Sequence, residues 1–249
     1  MPAAPVLLLD QTDSTNAEAR RRAEAGETGP LWIAARRQTA GRGRRGRNWE
    51  SEGGNLFSTL LQLTRKSPAE AGQVTFVAAL AVADLLDRYS PPSLVTIKWP
   101  NDVMLAGEKA AGVLVESGAH GAGGLWLAVG VGVNLAHAPA GTERPTTALA
   151  HHLSADVTAP PAVDVAAREL AEAFAVWMNR WETLGFEPVL DAWRARTPGL
   201  DGPAVARLGH ETVEGRAEGV AADGALRLRL ADGSLRLISA GDVFFGEAA

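Results

Sequence analysis

Residues 36–47 carry six arginines, three glycines and no acid, in a 249-residue chain whose formal net charge is −5. The run follows an apolar stretch at 31–35 and precedes another at 55–63, so it is a loop strung between two strands. Its like charges repel and its glycines lose backbone entropy on ordering, so it is costly to keep unless something negative sits in it. A glycine-spaced backbone approaches a phosphate or carboxylate closely, and guanidinium groups grip such anions in paired hydrogen bonds. The run therefore reads as an anion-binding lid.

The rest of the composition sets the frame around that lid. Hydrophobic residues make up 46% of the chain and seven tryptophans supply bulky core candidates, which fits a globular protein of one large domain or one domain with a small appendage. There is no cysteine, which excludes disulfides, thiolate metal sites, cysteine nucleophiles and thioester intermediates. The apolar run at 6–9 is too short for a signal peptide, and no stretch is expected to reach the length of a membrane span. Cytoplasmic location is the resulting expectation. Alanine, arginine and glycine richness reflects genome composition, so isolated arginines outside the loop carry little weight.

Apolar patterning predicts strands at 6–9, 31–35, 55–63, 95–99 and 103–105, and a strand pair at 109–116 and 125–133 joined by a glycine-rich turn at 118–124. A helix opens at residues 13–16, where Thr15 and Glu18 have capping-box spacing, and it stops by Gly26 and Gly29-Pro30. Helices are also predicted at 68–89, 163–184 and 187–196, the long one from the helical spacing of Leu170, Phe174, Trp177 and Trp181. After Pro198-Gly199 the period changes to two. Short strands at 213–220, 225–230 and 235–238, with turns at Asp223-Gly224 and Asp232-Gly233, predict a small β-barrel. The domain expectation is 1–198 and 199–249.

Several motifs come close to familiar patterns and miss. Residues 41–48 approach a P-loop, but Arg47 and Asn48 stand where lysine and a magnesium-binding hydroxyl belong, and a strand follows where a helix is needed. The stretch 130–134 lacks the third glycine and the helix of a dinucleotide fingerprint. His151 and His152 have no partners at metal-ligand spacing, so no metal site is expected. An arginine–glycine segment can also serve RNA, but Trp49 is the only aromatic residue within the loop and the chain is acidic overall. Lys98-Trp99-Pro100-Asn101-Asp102 packs a cation, an amide and a carboxylate around a proline turn, and Lys109 heads an apolar strand containing Gly112.

Taken in order, residues 13–16, 38–49, 98–102, Lys109 with Gly112 and Glu116, and 130–134 closely resemble the biotin–protein ligase family. The resemblance spans roughly residues 7–249. It implies an α/β (α+β) fold with a mixed or antiparallel sheet and flanking helices, like class II synthetases, plus a small C-terminal SH3-like barrel. It implies ATP-dependent formation of biotinyl-5′-AMP and transfer of biotin to a lysine of the biotin carboxyl carrier protein of acetyl-CoA carboxylase. Some relatives carry an N-terminal DNA-binding domain. Here residues 14–16 lie so near the start that the form without it, with no DNA binding, is expected.

By the same resemblance Ser14, Thr15, Asn16 and Gln38 bind the biotin ring. Arg42, Gly43 and Arg44 hold its carboxylate and the phosphates, Lys109 sits between carboxylate and α-phosphate, and Gly112 leaves room for the valeryl chain. Lys109, Arg42 and Arg44 are the implied catalytic set. Trp49, Asn101, Asp102 and Asn134 join Lys109 on the nucleotide, which comes with Mg2+. The chemistry explains the arginines: bringing two anions to ~4 Å at an effective dielectric of ~20 costs roughly 4 kcal/mol that fixed cations must offset. A lipoate–protein ligase shares the resemblance in fold but lacks the arginine-rich run. A homodimer is possible through an exposed strand of the 109–133 pair, which would alternatively pair with the carrier.

Overall fold

The computed structural model describes residues 2–246, so residue 1 and residues 247–249 of the expected domain spans lie outside the described residues. A seven-stranded sheet runs in the order β1-β2-β3-β7-β6-β5-β4. Its strands are β1 (Val6–Leu9), β2 (Leu31–Ala35), β3 (Leu56–Thr64), β4 (Val95–Lys98), β5 (Asp102–Leu105), β6 (Glu108–Ala119) and β7 (Leu125–Val133). Only β1 and β2 pair in parallel; the other pairings are antiparallel. The mixed α/β class expected from the sequence is the class observed.

Successive residues of the central strands enter different cores, as the two-residue period of a strand requires. Trp32, Ala34 and Leu60 join the larger core, while Ile33 and Leu61 join a smaller one with Ala19 and Ala23 of α1 (Thr15–Glu24). Both faces of β2 and β3 are thus covered, which is why β2 reads as an unbroken apolar run and β3 carries apolar residues on both faces. The larger core lies under α3 (Val74–Asp87), α4 (Val163–Leu184) and α5 (Glu187–Ala195). On α4 the buried positions Ala166, Ala167, Leu170, Ala171, Phe174, Met178 and Trp181 recur every three or four residues, and Phe174 meets Trp32 edge to face at 5.4 Å.

Three sequence expectations need correction here. The helix expected at 68–89 is broken at Gln73 into α2 (Pro68–Gly72) and α3. Gln73 accepts a hydrogen bond from Trp181 Nε1 and donates one to the Ala222 carbonyl, so its side chain ties α4 and the C-terminal region to the break. Residues 68–87 do reach the length and hydropathy of a membrane span, with mean hydropathy 1.4, but two-thirds of that window is buried inside the fold as a core helix. Thr15 and Glu18 form no capping box. Thr15 is the first residue of α1, its N–H is capped by Gln38 Oε1 at 2.8 Å, and Glu18 pairs instead with Arg21 and Arg22. The box that does form is Ser67 with Glu70, at the start of α2.

The C-terminal unit is a five-stranded antiparallel sheet of β8 (Pro203–Arg207), β9 (Thr212–Val220), β10 (Leu226–Arg229), β11 (Leu235–Ile238) and β12 (Asp242–Phe245), in the order β11-β10-β9-β8-β12. Its β9–β10 turn docks on the main core. Trp99 Nε1 donates to the Gly224 carbonyl at 3.0 Å, and Gly224, at φ +89°, lies so close to Phe76 that a Cβ would come within 2.7 Å of the ring. Replacing Trp99 with Phe orphans that carbonyl. The expected loss is about 1–3 kcal/mol of unfolding free energy in urea denaturation; an unchanged midpoint would show that the contact does not bind the two sheets together.

Candidate active site

One cleft of about 290 Å³ gathers Ser14, Thr15, Asn16, Gln38, Arg42, Gly43, Arg44, Trp49, Asn101, Asp102, Lys109, Gly112 and Asn134 in its lining. All the site residues expected from the sequence therefore meet in one place. Its floor is the β6–β7 hairpin, where Gly112 pairs with Gly132 and Leu114 with Gly130. The glycines are demanded by contact. A Cβ at Gly130 would fall 2.1 Å from Asn16 Oδ1, and one at Gly132 would fall 2.6 Å from the Trp49 ring. At Gly112 a Cβ would meet Trp49 at 3.2 Å and Lys109 Nζ at 3.5 Å.

Above Gly130 lies a polar end, built where α1 starts. Ser14, Thr15 and Asn16 are buried, and Asp13 fixes the entry by accepting from the Ser14 N–H at 2.7 Å. The hydrogen bonds from Arg21 hold the Asp13 carboxyl well below its ordinary value. Gln38 Oε1 accepts from both the backbone N–H and the hydroxyl of Thr15, and Gln38 Nε2 donates to Ser51 Oγ. Thr59 Oγ1 lies 2.8 Å from Thr15 Oγ1 and 2.7 Å from Asn16 Oδ1. The Asn16 amide donates to Glu116 Oε2 at 2.7 Å and to the Leu114 carbonyl. Asn16 is thus committed to joining α1, β3 and β6, and its position over Gly130 shapes the cleft.

Above Gly112 lies a cationic end. Lys109 Nζ is 2.5 Å from Asp102 Oδ1 and 5.5 Å from the centroid of the Trp49 ring. Arg44 donates to Asn101 Oδ1 at 2.6 Å and to the Gly241 carbonyl at 3.3 Å, while Asn101 Nδ2 donates to the Val113 carbonyl. Burial pulls the Arg44 guanidinium below its ordinary value, against the pull of Asp102 and Asp242. Asn134 is buried and donates to the Thr147 carbonyl, tethering the 135–147 connection to the end of β7. The Trp49 indole lies along the glycine strip with its Nε1 buried and unpartnered.

The arginine run divides in two. Arg42, Arg44, Arg45 and Arg47 line the cleft, whereas Arg36 reaches only Asp10, at 3.7 Å on the exposed surface. A short 3₁₀ turn at 44–46 puts Arg45 at φ +58°. Arg47 binds Asp242 at 2.7 Å and Arg45 approaches the same carboxylate at 3.7 Å. Gly43 has space for a Cβ, with Arg47 O 3.6 Å away, but Gly41 has none, because Trp49 O and Ser51 Oγ would lie within 2.5 Å.

Sequence reasoning missed Thr59, Arg144 and Asp242. Arg144 was discounted with the isolated arginines, yet it lines the cleft and lies 3.9 Å from Asp102 and 3.5 Å from Asp242. Asp242 sits on β12, at the far end of the chain from the loop it binds. No local pattern announces either residue.

Residues 8–134 match the biotin/lipoate A/B protein ligase family, and residues 205–246 match the biotin protein ligase C terminal domain. Over 241 residues the chain is 43% identical to a biotin–[acetyl-CoA-carboxylase] ligase of Paracoccus denitrificans, covering 96% of this chain and 100% of the relative. It is 33% identical to the enzyme of the same name from Mycobacterium tuberculosis, covering 95% of this chain and 87% of the relative. The structure of the Aquifex aeolicus biotin protein ligase in complex with biotin and ATP shares the fold, with a TM-score of 0.79 at 22% identity, covering 97% of this chain and 99% of that one. The chain belongs to the biotin protein ligase family.

Burial raises the Asp242 carboxyl, but Arg47, Arg144 and Arg45 outweigh it and leave the group below its ordinary value. A depressed folded value means that its hold on the loop is present above the unfolded carboxylate range, near pH 4, and is lost as pH falls through the folded value. Asp242→Asn is expected to reproduce that loss at neutral pH. Limited proteolysis checks it: faster cleavage within residues 41–54 is the expected result, and identical cleavage would remove Asp242 from the closure of the loop.

Proposed function

We propose that this protein activates biotin with ATP to biotinyl-5′-AMP and transfers the biotinyl group to a lysine of the biotin carboxyl carrier protein of acetyl-CoA carboxylase. The observation that carries the reading is the pairing of a polar end and a cationic end over one glycine floor. The polar end lies over Gly130 and the cationic end over Gly112, two residues apart along paired strands and so separated by ~7 Å. That suits a molecule with a hydrogen-bonding ring at one end and a carboxylate at the other, joined by an apolar body.

In the first step a carboxylate oxygen of biotin attacks the α-phosphorus. The new P–O bond forms as the bond to the departing pyrophosphate breaks. Lys109, with Arg42 and Arg44, offsets the repulsion of the two anions, and Asn101 and the Gly241 carbonyl hold Arg44 in place. Asp102 holds the Lys109 amine at the carboxylate end until the substrate's own oxygens compete for it. Trp49 and the loop cover the floor and keep water from the mixed anhydride. In the second step the carrier lysine amine attacks the anhydride carbonyl, forming the amide and expelling AMP.

The described residues contain no group of three or more His, Cys, Asp or Glu able to hold a metal ion. Mg2+ retains several waters and binds phosphate oxygens readily, so it enters as part of the nucleotide substrate. We take residues 1–198 as the catalytic domain and 199–249 as an appended domain that delivers Asp242. β6 outruns β5, so its residues 115–119 pair with β7 alone and offer an edge to the carrier or to a second copy of the chain. We take the cytoplasm as the location of the reaction.

Wild-type protein with ATP, Mg2+ and biotin is expected to release pyrophosphate, and lipoate or octanoate is not expected to replace biotin. Lys109→Ala is expected to slow that release by about 10²–10³-fold while biotin still binds, more weakly. Absence of biotin-dependent release by the wild type would overturn the reading, and full activity in the variant would overturn the role of Lys109.

A further inference from the structure

Arg144 lies in the connection between β7 and α4, and its side chain touches groups from two other parts of the chain. Its nitrogens are 3.9 Å from Asp102 Oδ2 and 3.5 Å from Asp242 Oδ1, and its guanidinium stacks 4.5 Å from the centroid of the Phe244 ring. Both carboxylate distances exceed hydrogen-bonding range, so charge and stacking hold the group without satisfying its donors. Its Nε is buried with no hydrogen-bond partner. A buried guanidinium N–H without an acceptor is costly. The side chain lines the cleft and keeps 22% of its surface exposed, so a ligand there can reach the guanidinium that the two carboxylates leave unsatisfied.

Two details give the chemistry of that acceptor. Lys109 holds Oδ1 of Asp102 and Arg144 faces Oδ2, so the two cations bracket one carboxylate. The Lys109 side already serves the biotin carboxylate, and Arg144 extends the positive charge away from it. The Phe244 ring also draws in Lys98 at 4.7 Å and Arg207 at 4.6 Å, so three cations from different elements converge on one aromatic residue. Of the three, Arg144 lines the cleft, beside Lys109 and Arg44, and that grouping suits a ligand with several negative charges.

We propose that Arg144 binds the nucleotide's polyphosphate, and the pyrophosphate that leaves it, with Phe244 as the positioning residue that aims its guanidinium. The assignment rests on the adenylation reading above. Charge builds on the pyrophosphate as the α-phosphate bond breaks, and a cation fixed at that end offsets it. Asp242 steadies Arg144 on one side and Arg47 of the loop on the other, so loop and phosphate end share a single anchor.

The test is calorimetric titration of inorganic pyrophosphate into the full chain, with KM for ATP, Kd for biotin and a thermal melt for each variant. Arg144→Gln is expected to weaken pyrophosphate binding and to raise KM for ATP about tenfold each, with biotin binding little changed. Phe244→Leu is expected to shift both in the same direction by about threefold, and Phe244→Tyr to restore them. Arg144 acting only as a strap between Asp102 and Asp242 would instead lower the melting temperature and leave pyrophosphate affinity unchanged, which overturns the proposal. Equal weakening of biotin and pyrophosphate binding also overturns it. Failure of the adenylation reading shows separately, as absence of biotin-dependent pyrophosphate release by the wild type, because the titration reads Arg144 without turnover.

Discussion

The arrangement of this site depends on two carboxylates set among like charges. Arg44, Arg45, Arg47, Lys109 and Arg144 crowd one end of the cleft, and Asp102 and Asp242 are the anions their side chains meet there. Bringing cations together in a partly desolvated cleft costs several kcal/mol per close pair at low effective dielectric. The carboxylates offset that repulsion while the substrates are absent. Under the proposed function, the carboxylate of biotin and the phosphates of ATP would take over that role. The cleft is therefore arranged to exchange internal anions for substrate anions.

Its two anchors come from different parts of the fold. Asp102 begins β5, in the sheet that forms the floor, and is placed by strand register opposite Gly112. Asp242 begins β12 of the C-terminal sheet and is placed by pairing with Arg207. The loop is thus held from both sheets, through Arg44 on Asn101 and through Arg47 and Arg45 on Asp242. The C-terminal unit thereby supplies part of the site in addition to stabilising the main domain, and the contact of Trp99 with Gly224 bears on function as well as on stability.

What was legible in the sequence is what repeats or clusters locally. The arginine–glycine run, the residues at 13–16, the 98–102 turn and the glycines of β6 and β7 each sit within a short window, and each reached the cleft. Thr59 was hidden because it reads as one more position of an apolar strand, although its hydroxyl meets both Thr15 and Asn16. Arg144 and Asp242 were hidden because their meaning lies in a meeting of segments far apart in the chain, the loop at 47, the start of β5 at 102, the connection at 144 and β12 at 242. The capping box failed for a physical reason. Its spacing at Thr15 and Glu18 is genuine, but Gln38 offers the Thr15 N–H a better-placed acceptor and Glu18 finds two arginines.

That exchange of caps reaches into the chemistry. In a capping box the helix start is satisfied by its own side chains, and the threonine hydroxyl turns back onto its own helix. Here a residue from the base of the arginine loop does the capping, so the start of α1 and the loop are held by one side chain. Gln38 Nε2 continues to Ser51 Oγ, and Ser51 donates to the Trp49 carbonyl. A hydrogen-bonded line therefore runs from the polar end of the cleft, through Gln38 and Ser51, to the backbone of the residue whose ring lies on the glycine floor. A ligand that competes for the Thr15 hydroxyl or the Gln38 amide acts at the same time on the segment that closes over it. The polar end of the cleft and the arginine-rich loop are in this way a single hydrogen-bonded unit.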